Sequence, residues 1–356
     1  MSTPTLPTTS VALRITERKQ QTPLTLARIA IPELGEHELL IENIAVAQAQ
    51  GDVYAVDADS RFLIPTIPYT NGWDCSGVVL GVGSEVKNVQ VGDRVASFAL
   101  ANPASKGSYQ QYTIGVDHIT CKIPSNLTHE IATTIPLAFS TALSGLFSLG
   151  LLGSSISSPI PHSESGSTVL VWGGASSVGA MAVQIAKLSG YKVVATASEK
   201  SWEYVKSLGA DFVVDYKEGE KAVEEIRRVT QGELGLVYDS ISYPGSIPLA
   251  IKCFGSKGGK MVVDRPGSEK ADTGGRTDVE IVYAGAYSLV QDPNLKKAFE
   301  LLEALLSENK LVYHPMEVLP GGLLGVNVGW RRQRNGEVGS QKLVYRIAET
   351  EGLADV

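Results

Sequence analysis

Short apolar or alternating runs dominate the first ~130 residues, the length of strands rather than helices. Leu39–Val46, Gly77–Val82 and Asp93–Ala99 are the clearest, and Gly, Asp and Pro separate them at close spacing. This pattern predicts a small β barrel or sandwich. After about Pro136 the texture changes. Strand candidates Thr168–Trp172, Lys192–Ala197, Asp211–Asp215, Leu236–Asp239 and Lys260–Asp264 alternate with helix-like Ser201–Leu208, Lys221–Val229 and Pro248–Phe254. Between the first two strands, Val178, Met181, Ala182, Ile185 and Ala186 recur at helical spacing and form one apolar stripe. Strands alternating with helices mean right-handed crossovers and a parallel sheet covered on both faces. Asn294–Leu306 reads as an amphipathic helix, Gly321–Gly325 as a glycine-rich segment, and Lys342–Ile347 as a last strand. Ser154–Ser167, rich in Ser and Pro, reads as a surface loop.

Composition sharpens this picture. The 356 residues are enough for two domains, and 43% hydrophobic against 19% charged residues describes a globular chain. A formal charge of −7 gives no general attraction to nucleic acid or to an anionic membrane. The basic run Arg331-Arg332-Gln333-Arg334 reads as a solvated face. Ile131–Leu152 leans apolar, but its hydroxyls and Pro136 predict a buried helix pair rather than a membrane span. No charged segment followed by an apolar one opens the sequence, and Cys75, Cys121 and Cys253 are scattered, so a cytoplasmic, reducing location is expected.

Glycine is the outlier, at 36 residues. Its densest informative cluster is Gly173–Gly179, between a predicted strand and a predicted helix, the setting of a dinucleotide-binding turn. Aligned as G-x-G-x-x-G, the positions are Gly174, Ser176 and Gly179, with Ser at the middle one. Gly174 would permit the tight turn and Gly179 close packing of helix on strand. The amides of the first helical turn would hold a pyrophosphate, with the Ser176 hydroxyl as an added donor. The second strand ends at Ser198, followed by Glu199, Lys200 and Ser201. A small neutral residue beside a lysine suits a 2′-phosphate, so NADPH is the expected cofactor. Glu199 would serve NADH if the register moved by one.

Gly72-Trp73-Asp74 through Gly77, then Gly92-Asp93-Arg94-Val95, resemble the signature of medium-chain dehydrogenases/reductases. The Gly173–Gly179 turn, Leu208-Gly-Ala-Asp211, Asp215-Tyr216 and the segment Gly336–Tyr345 extend the resemblance over nearly the whole chain. It is nearest the zinc-free branch of quinone reductases and fungal trans-acting enoyl reductases. The resemblance implies an α/β chain with two domains. A GroES-like β-rich catalytic domain (1–135 and 295–356) would enclose a Rossmann domain with a doubly wound parallel sheet (136–294). It implies that Ala175, Ser176, Ser177 and Val178 hold the pyrophosphate and that Tyr216 reaches the 2′-phosphate. Asp52, Tyr54 and Thr141 would lie at the nicotinamide end. Zinc-bearing relatives need a Cys and a His where this chain has Ala49 and Trp73, and three cysteines cannot build their four-Cys lobe, so no metal is expected.

The activity implied is NADPH-dependent reduction of an enoyl, enone or quinone in fungal-type secondary metabolism. The substrate would be a small molecule or be carried on a partner such as a polyketide synthase. Without a metal, Tyr54, Ser140 and Thr141 are the candidates for holding carbonyl charge, and Tyr54 for delivering the proton. Relatives commonly have Lys at the position of Tyr54. A second reading is therefore an NADPH-binding accessory or non-redox catalyst that shapes a polyketide-like product. The apolar run Val279–Ala284 would be an edge strand, pairing in a homodimer or capped in a monomer.

Overall fold

A computed structural model describes residues 6–19, 22–100, 106–152, 167–291 and 297–353. The chain forms two units, one of Met1–Leu137, Leu306–Glu308 and Tyr313–Val356, the other of Ala138–Leu305 and Asn309–Val312.

In the first unit, Glu38–Ala47 is the hub of a seven-stranded sheet. It pairs along one side with Asp74–Val82, and along the other with Tyr112–Val116 and then Lys342–Arg346, antiparallel in each case. Register shifts at Leu40/Ile41 and Asn43/Ala45 let one strand serve three partners by bending. Gly77 faces the Glu42 carbonyl so closely that no side chain fits there. Asn43 Nδ2 donates to Gln110 O and Thr113 Oγ1 (2.7 Å each), tying the hub to the next loop. A smaller sheet runs Thr25–Ala30, Thr9–Ile15, Tyr69–Thr70.

The second unit holds a six-stranded parallel sheet. Its order is Phe212–Val214, Lys192–Thr196, Thr168–Trp172, Leu236–Asp239, Gly259–Val263 and Val279–Tyr283. The order reverses between the third and fourth of these, the switch point at which such sheets receive ligands. Val279–Tyr283 lies at the sheet edge. Leu170, Ile226, Val237, Phe254 and Met261 meet in one core. The helix after the first strand, Ser177–Leu188, is buried from Gly179 through Ala186, because small and apolar residues surround it and not only its expected stripe.

Some elements differ from expectation. The glycine-rich segment opens a helix, Gly322–Arg334. Gly325 and Gly329 leave room there for Pro320 and the Tyr345 hydroxyl, so packing overrides poor helix propensity. In the basic run at the end of this helix, Arg332 pairs with Glu317 and Arg334 with Asp57. The amphipathic helix is Ala298–Ser307, and through Leu305 it belongs to the parallel-sheet unit, where Phe299 meets Phe139 edge-on at 5.9 Å. The chain therefore returns to the first unit later than residue 295. Residues 154–166 of the expected loop and 294–296 of the expected helix lie outside the described residues. His129–Ser148 is long and apolar enough to cross a membrane, but 78% of it is buried inside the protein.

Candidate functional site

The strand Thr168–Trp172 ends in Gly173, whose φ of +83° makes the turn. This role was expected of Gly174. Gly174 instead answers to space: a Cβ there would lie 2.9 Å from Ala195 Cβ. At Gly179 a Cβ would overlap the Gly173 carbonyl, so helix and turn touch backbone to backbone. Thr196 fixes the turn from the next strand. Its Oγ1 accepts from Gly173 N and its carbonyl from Gly174 N, both at 2.9 Å.

Ser176 caps the helix by accepting from Gly179 N at 2.9 Å. Its hydroxyl also lies 2.9 Å from Ser240 Oγ, and Ser240 donates to Trp172 O at 2.8 Å. With the Ser240 proton spent on that carbonyl, the Ser176 proton goes to Ser240. The Ser176 side chain is thus a cap and a brace. The amides of Ala175, Ser177 and Val178 have no partner among the described residues. Three amides at the positive end of a 12-residue helix fit a pyrophosphate.

The register Thr196↔Val214, extended by Ala197 N to Val214 O at 3.0 Å, sets the next two strand ends side by side. Ser198, Glu199, Lys200, Ser201 and Tyr216 therefore gather at the same sheet edge as the glycine turn. Ser198 is 8% exposed and Ser201 6%, whereas Glu199 and Lys200 are exposed and Tyr216 is 42% exposed. Asp215 braces Tyr216's short turn by accepting from Lys217 N at 2.9 Å.

In the first unit, Gln50–Asp57 forms a helix that carries Asp52 and Tyr54. Asp52 is fully buried, and its Oδ2 accepts from Ala49 N (2.8 Å) and Tyr109 Oη (2.6 Å). Burial pushes its carboxyl up to about 7, against the pull of those two donors. A carboxylate so enclosed holds the start of the helix. Tyr54, half-buried, lies one half-turn further along. Gly51 is in contact with the Trp73 ring, which leaves no room for a larger residue.

In the second unit, Ser140 is fully buried with its hydroxyl unpartnered, and Thr141 is 7% exposed. Tyr238 Oη donates to Thr141 O at 3.0 Å, which fixes that stretch of helix Pro136–Ser148. Of the two residues, Thr141 is the more exposed.

A zinc does not fit the residues present. Ala49 offers no ligand atom. Asp74 is bound to Lys342 Nζ in a buried ion pair, and its other oxygen accepts from Leu137 N at 2.7 Å. Cys75 is buried, and burial holds its thiol in the protonated form. Among the described residues, no group of three or more His, Cys, Asp or Glu side chains could hold a metal.

Sequence reasoning missed Tyr109, Lys342 and Ser240. Ser240 alone carried a signal, a small hydroxyl directly after the fourth strand.

Residues 35–135 match the alcohol dehydrogenase GroES-like domain, and 177–272 the zinc-binding dehydrogenase family. The trans-enoyl reductase FSL5 of Gibberella zeae is 30% identical over 346 residues, covering 90% of this chain and 93% of FSL5. The enoyl reductase component lovC of the lovastatin nonaketide synthase of Aspergillus terreus is 30% identical over 295 residues, 78% of this chain and 81% of lovC. Among solved structures, the CurK enoyl reductase superposes with a TM-score of 0.77 at 26% identity, over 95% of this chain and 99% of CurK. The chain belongs to the medium-chain dehydrogenases/reductases, in their enoyl reductase branch.

Proposed function

We propose that this protein is an NADPH-dependent enoyl reductase acting on an activated carbon–carbon double bond. Its nicotinamide cofactor follows from the family and its Rossmann unit. The observation that carries the reading is the shared sheet edge: three unpartnered amides at the capped helix, with Ser198, Lys200 and Tyr216 beside them. Phosphate preference is supported by the nearly buried neutral Ser198 at the strand end and by exposed Lys200. Quinones and enones remain within the class. The likeness to lovC, named as a component of a polyketide-type synthase, supports a carrier-bound substrate handed over by such a partner.

When bound, the nicotinamide supplies a hydride to the β-carbon. The residues must then hold charge at the substrate carbonyl and return one proton to the adjacent carbon. This reading assigns the first task to Thr141. Tyr54, on a helix whose start is fixed by Asp52, is the proton donor of this reading. Oxidation of NADPH and of NADH is followed with enoyl thioesters, enones and quinones. We expect NADPH turnover on an enoyl thioester with one cofactor consumed per double bond. Absence of turnover on every substrate by protein that still binds NADPH would overturn the reading and favour the non-redox alternative. Tyr54→Phe should lower kcat about a hundredfold while leaving NADPH affinity unchanged.

A further inference from the structure

Beyond the switch point, Asp264 follows the strand Gly259–Val263, and the loop after Leu236–Asp239 packs on it. Ser242 in that loop, at φ +53°, makes three contacts with its Oγ. It lies 2.6 Å from Asp239 O and 3.0 Å from Asp264 Oδ1, and it accepts from Asp264 N at 2.9 Å. A hydroxyl has one proton. A carbonyl oxygen at 2.6 Å can only accept, so that proton goes to Asp239 O. Two oxygens at 3.0 Å then face each other with lone pairs unless Asp264 Oδ1 carries the missing proton. With it, Ser242 Oγ donates once and accepts twice, and every group is satisfied.

The neighbouring carboxylate, which burial also raises, to about 6, is met by donors instead. Asp239 accepts from Ile241 N (2.9 Å), Ser242 N (3.0 Å) and Ser246 Oγ (2.6 Å), a set of donors that suits an anion. Burial first, and then the charge of Asp239, raise Asp264 to about 7, against the pull of the Ser242 hydroxyl. The other groups facing Asp264 do not replace its proton. Tyr238 spends its hydroxyl on Thr141 O. Tyr283, on the strand beyond, is paired in register with Val263. Arg265 on Asp264's own segment lies over the Tyr243 ring at 4.3 Å. Asp264 Oδ2 has no partner among the described residues, and the residue is partly exposed.

This inference rests on the cofactor reading above. With the adenosine end at Ser198–Tyr216 and the pyrophosphate at Ala175–Val178, the remaining half of a dinucleotide crosses the switch point toward Asp239 and Asp264. We propose that Asp264 is carried as a neutral carboxylic acid whose outer oxygen accepts a hydrogen bond from an uncharged N–H or O–H group on the nicotinamide half of the cofactor. Ionisation would put a second anion beside Asp239 and under a ligand that already carries phosphates.

The test measures Kd by calorimetry across the neutral range for NADPH and for adenosine 2′,5′-bisphosphate, which lacks the nicotinamide half. Wild type and Asp264→Asn are compared, since Asn keeps a neutral acceptor. For wild type, NADPH Kd should rise with pH above about 7, by up to about tenfold per unit, relative to Asp264→Asn. The fragment should show no such excess, and because it bears the same 2′-phosphate it controls for titration of the ligand. Infrared spectra of the cofactor-free protein should show a protonated carboxyl band that disappears through neutral pH and is missing from Asp264→Asn. Loss of no band in the variant would overturn the protonation. Equal pH slopes for NADPH and fragment in wild type would overturn the contact, whether or not the variant folds. If neither ligand binds at any pH, the cofactor reading and the contact fail together, while the infrared result still decides the state of Asp264.

Discussion

Asp52 and Asp74 are both fully buried carboxylates of the first unit, yet they have different partners. Asp74 faces the Lys342 ammonium, while the donors to Asp52 among the described residues are two neutral groups. For Asp52 the folded state therefore binds a proton more tightly than the unfolded chain does, since its carboxyl rises to about 7. The resulting stability is fully present below about pH 4 and is lost as pH rises through about 7. Asp52→Asn removes the anion and keeps an acceptor for Ala49 N. Relative to wild type, the variant should gain about 2 kcal/mol between about pH 5 and about pH 8, read from denaturant unfolding at each pH. An unchanged difference would show that Asp52 titrates normally. At the other site, Lys200→Glu should weaken NADPH binding about tenfold and leave NADH within a factor of about two, measured by calorimetry. The positions of Gly174, Ser198 and Lys200 were legible from spacing, because a strand, a tight turn and a helix follow one another locally. The role of Asp52 was not, because Tyr109, which defines it, lies 57 residues away.

Among elements, the parallel-sheet strands and the helix Ser177–Leu188 could be read directly, since each carries its own periodicity and turn signals. The helix Gly322–Arg334 could not, because its glycines argue locally for a loop. What they serve is contact with Tyr345, whose hydroxyl donates to Gln48 Oε1 at 2.7 Å. Gly329→Ala makes this competition measurable. In an exposed helix the change would stabilise by about 1 kcal/mol. Here the new methyl would overlap the Tyr345 hydroxyl, which is fully buried and held by Gln48. Overlap prevails, and we expect a net loss of about 2 kcal/mol in denaturant unfolding. Arg331 and Arg334 are exposed as expected, but the pairing of Arg332 and Arg334 was not legible for a related reason. Their partners Glu317 and Asp57 come from other elements, so a run of like charge in sequence is paired in space.

At the scale of the whole molecule, the chain first passes between units at residues 137–138, where the change from β-rich to alternating texture suggested 135–136. The return crossing was misplaced because amphipathicity shows that a helix packs, but not against which core. Val279–Tyr283 is the last strand of its sheet, so its outer backbone groups pair with no strand among the described residues. We propose that this edge pairs with that of a second copy. Light scattering should give twice the chain mass, and Ile281→Pro should return it to a monomer, since proline removes an edge donor. A single-chain mass for wild type would contradict the pairing.

The pairing of Lys342–Arg346 with Ala45–Ala47 has a consequence for how the chain is made. A ribosome delivers residue 47 about 300 residues before residue 344, at roughly 5–20 residues per second. For that interval the hub strand of the first unit has an unsatisfied stretch of backbone, while the entire parallel sheet can emerge and close. Nascent chains stalled before residue 342 should therefore bind chaperones through the Glu38–Ala47 edge, and release them once the late strand is out.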